Sequence, residues 1–254
     1  MDTGDTTVDE LMGGRIRLIQ PKSGYRVSMD TLMLAASVPA GPGEKVLEAG
    51  SGTGGAALCL AVRCPDAKVW GLEIQPAMAA LAQQNIQLNR LEGRAKFVTG
   101  CITDPPSELA RESFDHVMAN PPYMERGEAV RPPAPSKGDA YVESTATLED
   151  WIKFCITMAR PKGTVTFIYR ADRIDALVAG LHRRAGEAVI CPLWPKQGQI
   201  AKRVLIQARK GLHGVATLLP GIAMHDESGD DTPEARAVLR EAGAIDLAPY
   251  RFRA

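Results

Sequence analysis

The sequence predicts an α/β fold carried by a mostly parallel sheet, with an antiparallel strand pair toward its C-terminal end. Three observations predict it. From about Glu44 onward, short apolar runs alternate with stretches of helical periodicity, which is the signature of strand–helix–strand crossover units. A glycine-rich stretch, Glu48-Ala-Gly50-Ser-Gly52-Thr-Gly54-Gly55, falls where a strand should turn into a helix. Two later strand-like segments, 187–194 and 202–209, are joined by PKQG at 195–198, and Pro with Gly there signals a tight reversal.

Taken in order, a short helix is expected at 31–38, ahead of the first sheet strand. KVLEAG (45–50) reads as a buried strand, Gly52–Arg63 as a helix and KVWGLE (68–73) as a second strand. Pro76–Asn89 is helical, with Met78, Leu81, Ala82, Asn85 and Leu88 at helical spacing. KFVTG (96–100) and FDHVMAN (114–120) are the third and fourth strands. Thr147–Ala159 is a helix with Leu148, Trp151, Ile152, Cys155 and Ile156 on one side, followed by the strand GTVTFIY (163–169) and a helix near Asp172–Arg184. Beyond the reversal lie an apolar run (215–223), the acidic turn HDESGDD (225–231), and a helix opened by Thr232 as cap with Pro233 in its first turn. The organisation expected is an N-terminal segment 1–40, a main domain 41–211 and an extension 212–254. The Pro- and Gly-containing stretch 124–146 is too long for a plain connection, and loops of that length in compact domains are usually functional.

Composition narrows the class. Of 254 residues 45% are hydrophobic and 24% charged, ordinary globular usage that argues against a disordered or fibrous chain. Thirty Lys and Arg balance thirty Asp and Glu, which excludes a wholly basic nucleic-acid binder but not a local basic face. The five cysteines (Cys59, Cys64, Cys101, Cys155, Cys191) are scattered, form no CxxC and lie far from the four histidines, so no metal site is expected and the thiols read as free. The acidic, polar start MDTGDTTVDE is unlike a signal peptide, and no apolar run approaches the roughly 18 residues of a membrane helix. A soluble cytoplasmic protein without a membrane partner is the expectation.

The glycine-rich stretch points to a nucleoside cofactor. Glycine permits the turn and the close approach of a ligand, and free N–H groups at a helix start attract an anion. Glu73, at the end of the second strand, is placed to accept both ribose hydroxyls. Two cofactors fit equally: Gly50, Gly52 and Gly55 satisfy the dinucleotide GxGxxG, while Glu48, Gly50, Gly52 and Gly54 satisfy the ExGxGxG of S-adenosylmethionine enzymes. Asn120-Pro121-Pro122-Tyr123 decides between them. An exocyclic aromatic amine is a poor nucleophile, because its lone pair is delocalised into the ring. The Asn side-chain oxygen and the Pro121 carbonyl can accept its two N–H groups and stabilise the charge that develops on transfer. The prolines stiffen the segment, and Tyr123 offers a face on which to stack a base. Glycine turn and tetrapeptide together favour an amino-methyltransferase over a dehydrogenase.

At these residues the sequence resembles the class I S-adenosylmethionine-dependent methyltransferases of the small-domain, NPPY-containing group, and within it the bacterial tRNA adenine-N6 methyltransferases that act on adenosine 37 of valine tRNA. GGRIRLIQPKSGYRVSMDTLMLAA (13–36) is similar to that family's N-terminal block and GLEIQPAMAALAQQN (71–85) to its second-strand region. LEDWI (148–152), KRVLIQARKG (202–211) and HDESGDDTPEA (225–235) are similar to its later blocks. The resemblance implies a Rossmann-like class I methyltransferase sheet and S-adenosylmethionine as cofactor, with Asn120–Tyr123 on the target amine. It places Glu48, Gly50, Gly52 and Gly54 around the cofactor's methionine part and Glu73 on the ribose. Such enzymes carry an Asp after the third strand that contacts the cofactor adenine. Here Gly100 is followed by Cys101 at that place, with Asp104 three residues on as a substitute unless a backbone contact serves instead. Ser28 and Asp30 have two readings, as caps of the helix 31–38 or as part of a segment covering the methionine end. His116 and His182 read as packed and solvated rather than catalytic.

The function expected is methyl transfer to an exocyclic amine, adenine N6 of tRNA or another RNA first. The rivals are protein-glutamine N5 methylation, ribosomal-RNA or small-molecule amine methylation, and a non-catalytic RNA-binding module. The glutamine enzymes normally carry a helical domain ahead of the catalytic one, for which 40 residues are few. Charge is uneven: 151–211 holds 12 basic and 3 acidic residues. Arg170, Arg173, Lys196, Lys202 and Arg203 are therefore expected, with the 124–146 stretch, to form the RNA face. Arg15, Arg17, Lys22 and Arg26 are the alternative face.

Overall fold

The computed structural model describes residues 5–24, 26–122 and 146–247; Tyr123 and nearly all of the 124–146 stretch lie outside them. Strands β3 (Lys45–Ala49), β4 (Lys68–Glu73), β5 (Ala95–Thr99), β6 (Phe114–Ala119) and β7 (Ala159–Arg170) alternate with helices α2 (Gly55–Arg63), α3 (Pro76–Leu88) and α4 (Leu148–Met158). They pair in parallel in the order β7-β6-β3-β4-β5, with β3 at the centre. Both faces of this sheet are covered, which is why its strands read as near-continuous apolar runs rather than alternating ones. Helices α1 (Met29–Ser37) and α2 pack on one face with Leu34, Leu58 and Leu60, and α4 packs on the other with Trp151, Ile152 and Cys155. Thr147 caps α4 through a reciprocal box with Asp150, as its TLED sequence requires.

The C-terminal part behaves as the PKQG signal implied. After a 3-10 turn (Ala171–Arg173) and α5 (Ile174–Leu181), β8 (Ala185–Lys196) and β9 (Arg203–Lys210) form an antiparallel pair, with β9 docked antiparallel on β7. The helix expected over 172–184 is thus shorter and begins as a 3-10 turn. The apolar run 215–223 becomes two short strands, β10 (Thr217–Leu218) and β11 (Ile222–His225), both parallel to β8. Pro220–Gly221 separates them, and the Pro220 carbonyl accepts the Trp194 indole N–H at 2.9 Å. Helix α6 (Pro233–Glu241) follows, capped by Thr232.

The largest departure from expectation is N-terminal. Residues 6–21 form an antiparallel hairpin, β1 (Thr6–Leu11) and β2 (Ile16–Pro21), separate from the main sheet. An asparagine of α3 and the one that follows its last residue dock it. Asn85, fully buried, accepts the Ile19 N–H at 2.7 Å and donates to the carbonyls of Ile19 and Thr53 at 2.9 and 3.0 Å. One helical turn on, Asn89 repeats the pattern, accepting from Arg17 N–H and donating to Arg17 carbonyl. Residues i and i+4 of a helix and i and i+2 of a strand both advance about 6 Å, so two amides can pair the outer edge of β2 as a further strand would.

Asn85→Ala should therefore cost about 2–3 kcal/mol, since it strands buried N–H and C=O groups, and the half-buried Asn89→Ala should cost about 1 kcal/mol or less. Urea unfolding of both variants checks this; equal, small losses would mean that the hairpin is held by its apolar residues alone.

Candidate active site

The chain leaves β3 toward β4 and β5, then returns across the sheet to place β6 on the other side of β3. Such a reversal opens a crevice at the carboxyl ends of the two strands, because the loops after β3 and β6 part in opposite directions. The glycine turn follows β3 and Asn120-Pro121-Pro122 follows β6, so the topology alone brings the two motifs to one place. A small cavity lies there, its wall including Glu48, Gly50, Ser51, Thr53 and Asn120. Val27, Thr31 and Leu34, from α1 and the segment before it, line it from the N-terminal side.

The three glycines of the turn have different reasons for being there. Gly50, Gly52 and Gly54 all take positive φ (67°, 54° and 88°), where a side chain is strained. A Cβ at Gly50 would strike the Trp151 ring, and one at Gly54 would strike Phe97. At Gly52 it would meet nothing within 4 Å. Gly54 therefore answers to packing, and Gly52 is the position where open space lies against bare backbone. Beside it, the Ser51 hydroxyl is buried and, among the described residues, has no hydrogen-bond partner.

Two carboxylates stabilise the turn. Glu48 accepts the Ala57 N–H of the first turn of α2 at 2.8 Å. Burial pushes its carboxyl up to about 8, against the Ala57 hydrogen bond and with help from the Glu73 charge. Glu73 accepts from Gly52 N–H at 2.8 Å and from Gln75 N–H at 2.9 Å. Burial raises it too, opposed by N–H groups of Gln75, Gly52 and Ile74. Each Glu73 oxygen keeps lone-pair capacity beyond its single backbone bond.

Cys101 sits just past β5, half-buried, its thiol 3.0 Å from the Thr103 hydroxyl and its backbone bridged to Asp104. Burial alone would raise this thiol, but hydrogen bonds from Thr103 and the Asp104 N–H bring it below the ordinary value. Asn120, Gly50, Glu73 and Cys101 thus stand at the carboxyl ends of four adjacent strands in the order β6-β3-β4-β5. At about 4.8 Å per strand they cover roughly 14 Å of one sheet edge, an extended track rather than a single pocket.

Other expectations change. Helix capping by Ser28 and Asp30 is corrected: Ser28 stands at the N-cap with no side-chain bond, and the buried Asp30 pairs with Arg203 Nε at 2.7 Å. Its carboxylate takes a guanidinium brought from β9. Several of the basic residues are likewise engaged. Arg170 forms a two-point pair with Asp172, Lys196 donates to the Glu227 carbonyl at 3.3 Å beside the acidic turn, and Arg26 pairs with Asp9. His116 is packed between Thr164 and Glu44, and burial lowers it. Sequence reading missed Ser51, Thr53, Val27 and Thr31 on the cavity wall. The first two lay inside the motif itself; the others come from a segment whose placement depends on the whole fold. Among the described residues there is no group of three or more His, Cys, Asp or Glu suited to a metal, and no helix long and apolar enough to cross a membrane.

A sheet of this order, a glycine turn with two acids and an Asn-Pro-Pro segment at its switch point define a class: the chain is a class I S-adenosylmethionine-dependent methyltransferase. Residues 46–131 match the Methyltransferase domain family, a span that holds both motifs. Within the class it is similar to proteins named tRNA1(Val) (adenine(37)-N6)-methyltransferase. That of Actinobacillus succinogenes is 26% identical over 228 residues, covering 89% of this chain and 94% of the relative. That of Porphyromonas gingivalis strain W83 is 31% identical over 168 residues, covering 62% and 64%. Among solved structures, a predicted O-methyltransferase from Agrobacterium tumefaciens superposes with a TM-score of 0.73 at 24% identity, over 86% of this chain and 99% of that one. A P. horikoshii protein solved in complex with MeSAdo gives 0.55 at 15% identity, over 84% and 74%. Both show the fold.

The raised carboxyl of Glu48 gives the free protein a pH signature. A group whose folded pKa lies above its unfolded value of 4.5 stabilises fully below pH 4.5, and that contribution is lost as pH rises through about 8. Glu48→Gln, which keeps an acceptor for Ala57, should raise the Tm of the ligand-free protein at pH 9 and change it little at pH 5. Melting curves at the two pH values check this; an identical shift at both would mean that Glu48 does not titrate in that range.

Proposed function

We propose that this methyltransferase acts on the exocyclic N6 of an adenine in tRNA. The observation that carries the proposal is the shared cavity: Asn120 lies on the same wall as Glu48 and Gly50, so the group that grips an amine adjoins the turn suited to the cofactor. The cofactor's demands fit the residues present. The open backbone at Gly52 and the unpartnered Ser51 hydroxyl offer room and a polar contact, and Glu48 and Glu73 supply carboxylates for an ammonium and for ribose hydroxyls. Thr103, Asp104 and Cys101, at the far end of the strand row, are the groups for the adenine. S-adenosylmethionine supplies an electrophilic methyl group on a sulfonium.

The chain's own part is to hold the amine. The Asn120 side-chain oxygen and the Pro121 carbonyl accept its two N–H groups, turning the nitrogen lone pair toward the cofactor. The same two oxygens interact more strongly with the nitrogen as it gains positive charge, so they favour the transition state over the bound amine. With the cofactor bound, the N–C bond would form as the C–S bond breaks, and the extra proton would leave the nitrogen for water, so no side chain of raised basicity is needed. Tyr123 would stack on the base. Residues 41–211 would form the catalytic unit, 1–40 would cover the cofactor site through Val27 and Thr31, and 212–254 would extend the sheet.

The names of the relatives support tRNA over the rivals. Asn-Pro-Pro chemistry would serve an amide of a protein equally well, and the product separates the readings. With labelled cofactor and bulk tRNA, nucleoside mass spectrometry should find N6-methyladenosine; label on protein alone would move the target to glutamine. Asn120→Ala should lower kcat at least a hundredfold, about 3 kcal/mol of transition-state stabilisation, while calorimetry finds the affinity for S-adenosylmethionine within about threefold of wild type. A matched fall in cofactor affinity with kcat preserved would make Asn120 a cofactor residue instead.

A further inference from the structure

The β8–β9 hairpin rises past the site and ends in an exposed apolar residue. Arg203, the first residue of β9, is opposite Arg170, the last of β7, and Ala119, the last of β6, is opposite Phe167. The Asn120–Pro122 segment therefore stands about level with the start of β9. Beyond that level β8 continues through Trp194, Pro195 and Lys196, and residues 197–202 cross back above it. At roughly 3.3 Å per residue the overhang is about 10 Å. Its returning arm, in line with β9, stands two strands from β6, again about 10 Å, and its β8 arm one strand further, so it walls one side of the crevice where a large substrate would lie.

The composition of the tip is specific. Residues 196–202 are Lys-Gln-Gly-Gln-Ile-Ala-Lys, with no acid, and Ile200 is 80% exposed, the most exposed large apolar side chain among the described residues. The turn is fixed by the Gln199 N–H on the Lys196 carbonyl and by Gly198 at φ 78°, so Ile200 directly follows a formed turn. The two flanks differ electrostatically. On the β11 side lies the turn Asp226–Asp231, next to Lys196. On the β7 side lies Lys202, exposed and, among the described residues, without an ion pair. A polyanion is repelled from the first flank and drawn to the second, which is the flank nearer Asn120.

We infer that this hairpin tip is a nucleic-acid wedge: Ile200 enters the stack beside the target adenine as the base is turned out, and Lys202 holds a phosphate of the same strand. The inference rests on the tRNA reading and deepens it. A base turned into a pocket leaves a gap in its stack, and an apolar side chain beside the pocket offsets the cost of unstacking. The tip's amide side chains suit base edges and its lysine a phosphate, whereas a small-molecule amine would reach neither.

Steady-state methylation by Ile200→Ala, Ile200→Asp, Lys202→Ala and Lys196→Ala, with folded tRNA and with a short unstructured RNA containing the same adenine, tests it. Ile200→Asp should raise KM for tRNA about tenfold, Ile200→Ala less, and neither should much affect the unstructured RNA, which has no stack to open. Lys202→Ala should flatten the salt dependence of tRNA binding by about one unit and Lys196→Ala by less. Melting temperature and S-adenosylmethionine affinity should match wild type in all four. Equal losses on both RNAs overturn the wedge, and equal slopes for the two lysine variants overturn the phosphate track. Tip variants as active as wild type on tRNA overturn the inference while leaving the tRNA reading intact; a wild-type protein that methylates no RNA removes both.

Discussion

Every functional residue placed above depends on where the chain reverses its direction of travel across the sheet. Parallel strands need crossovers, and right-handed crossovers that start from a central strand fill one side before the chain returns to fill the other. The return separates the loops after β3 and β6, leaving a crevice that no side chain of the sheet fills. The glycine turn and Asn120 are distant in sequence but adjacent there because β3 and β6 are paired neighbours. Moving either motif to another strand would keep its local chemistry and lose the shared cavity.

The glycine turn is rigid for reasons that are only partly about a ligand. Trp151 from α4 occupies the space over Gly50 and Phe97 from β5 the space over Gly54, so the turn is wedged from both sides of the sheet. Glu73 binds the Gly52 N–H and Glu48 the start of α2. These carboxylates are buried beside one another at a cost in solvation that a bound cation and hydroxyl groups would offset. Burial keeps the proton on Glu48 in the free protein at neutral pH, and a bound cation would favour its release, which links protonation of the site to binding.

The N-terminal segment is joined to this site by polar contacts rather than by sheet pairing. Asn85 connects β2 to Thr53 of the cavity wall through one buried amide. Asp30 connects α1, whose Thr31 and Leu34 line the cavity, to Arg203 at the tip end of the β8–β9 hairpin. The cavity wall and the tip end of the hairpin are therefore mechanically continuous. The ion pair is mostly shielded from water, where breaking one partner is more disruptive than its surface counterpart would be.

The sequence by itself determined the alternation of strands and helices, the antiparallel pair around PKQG, the Thr232 cap and the two motifs. Each of these is written in local periodicity, turn chemistry or spacing. It did not reveal the β1–β2 hairpin, because that hairpin's alternation is mixed with polar residues and the side chains that pair its outer edge, Asn85 and Asn89, lie about seventy positions away. Nor did it reveal that Asp30 would meet Arg203, that Gly54 is a glycine for the sake of Phe97, or that Lys196 would lie against an acidic turn. Those depend on which surfaces a long-range fold presses together. Local rules fix what a segment can become; steric exclusion and the pairing of buried charge, which act between segments, decided which residues face the site.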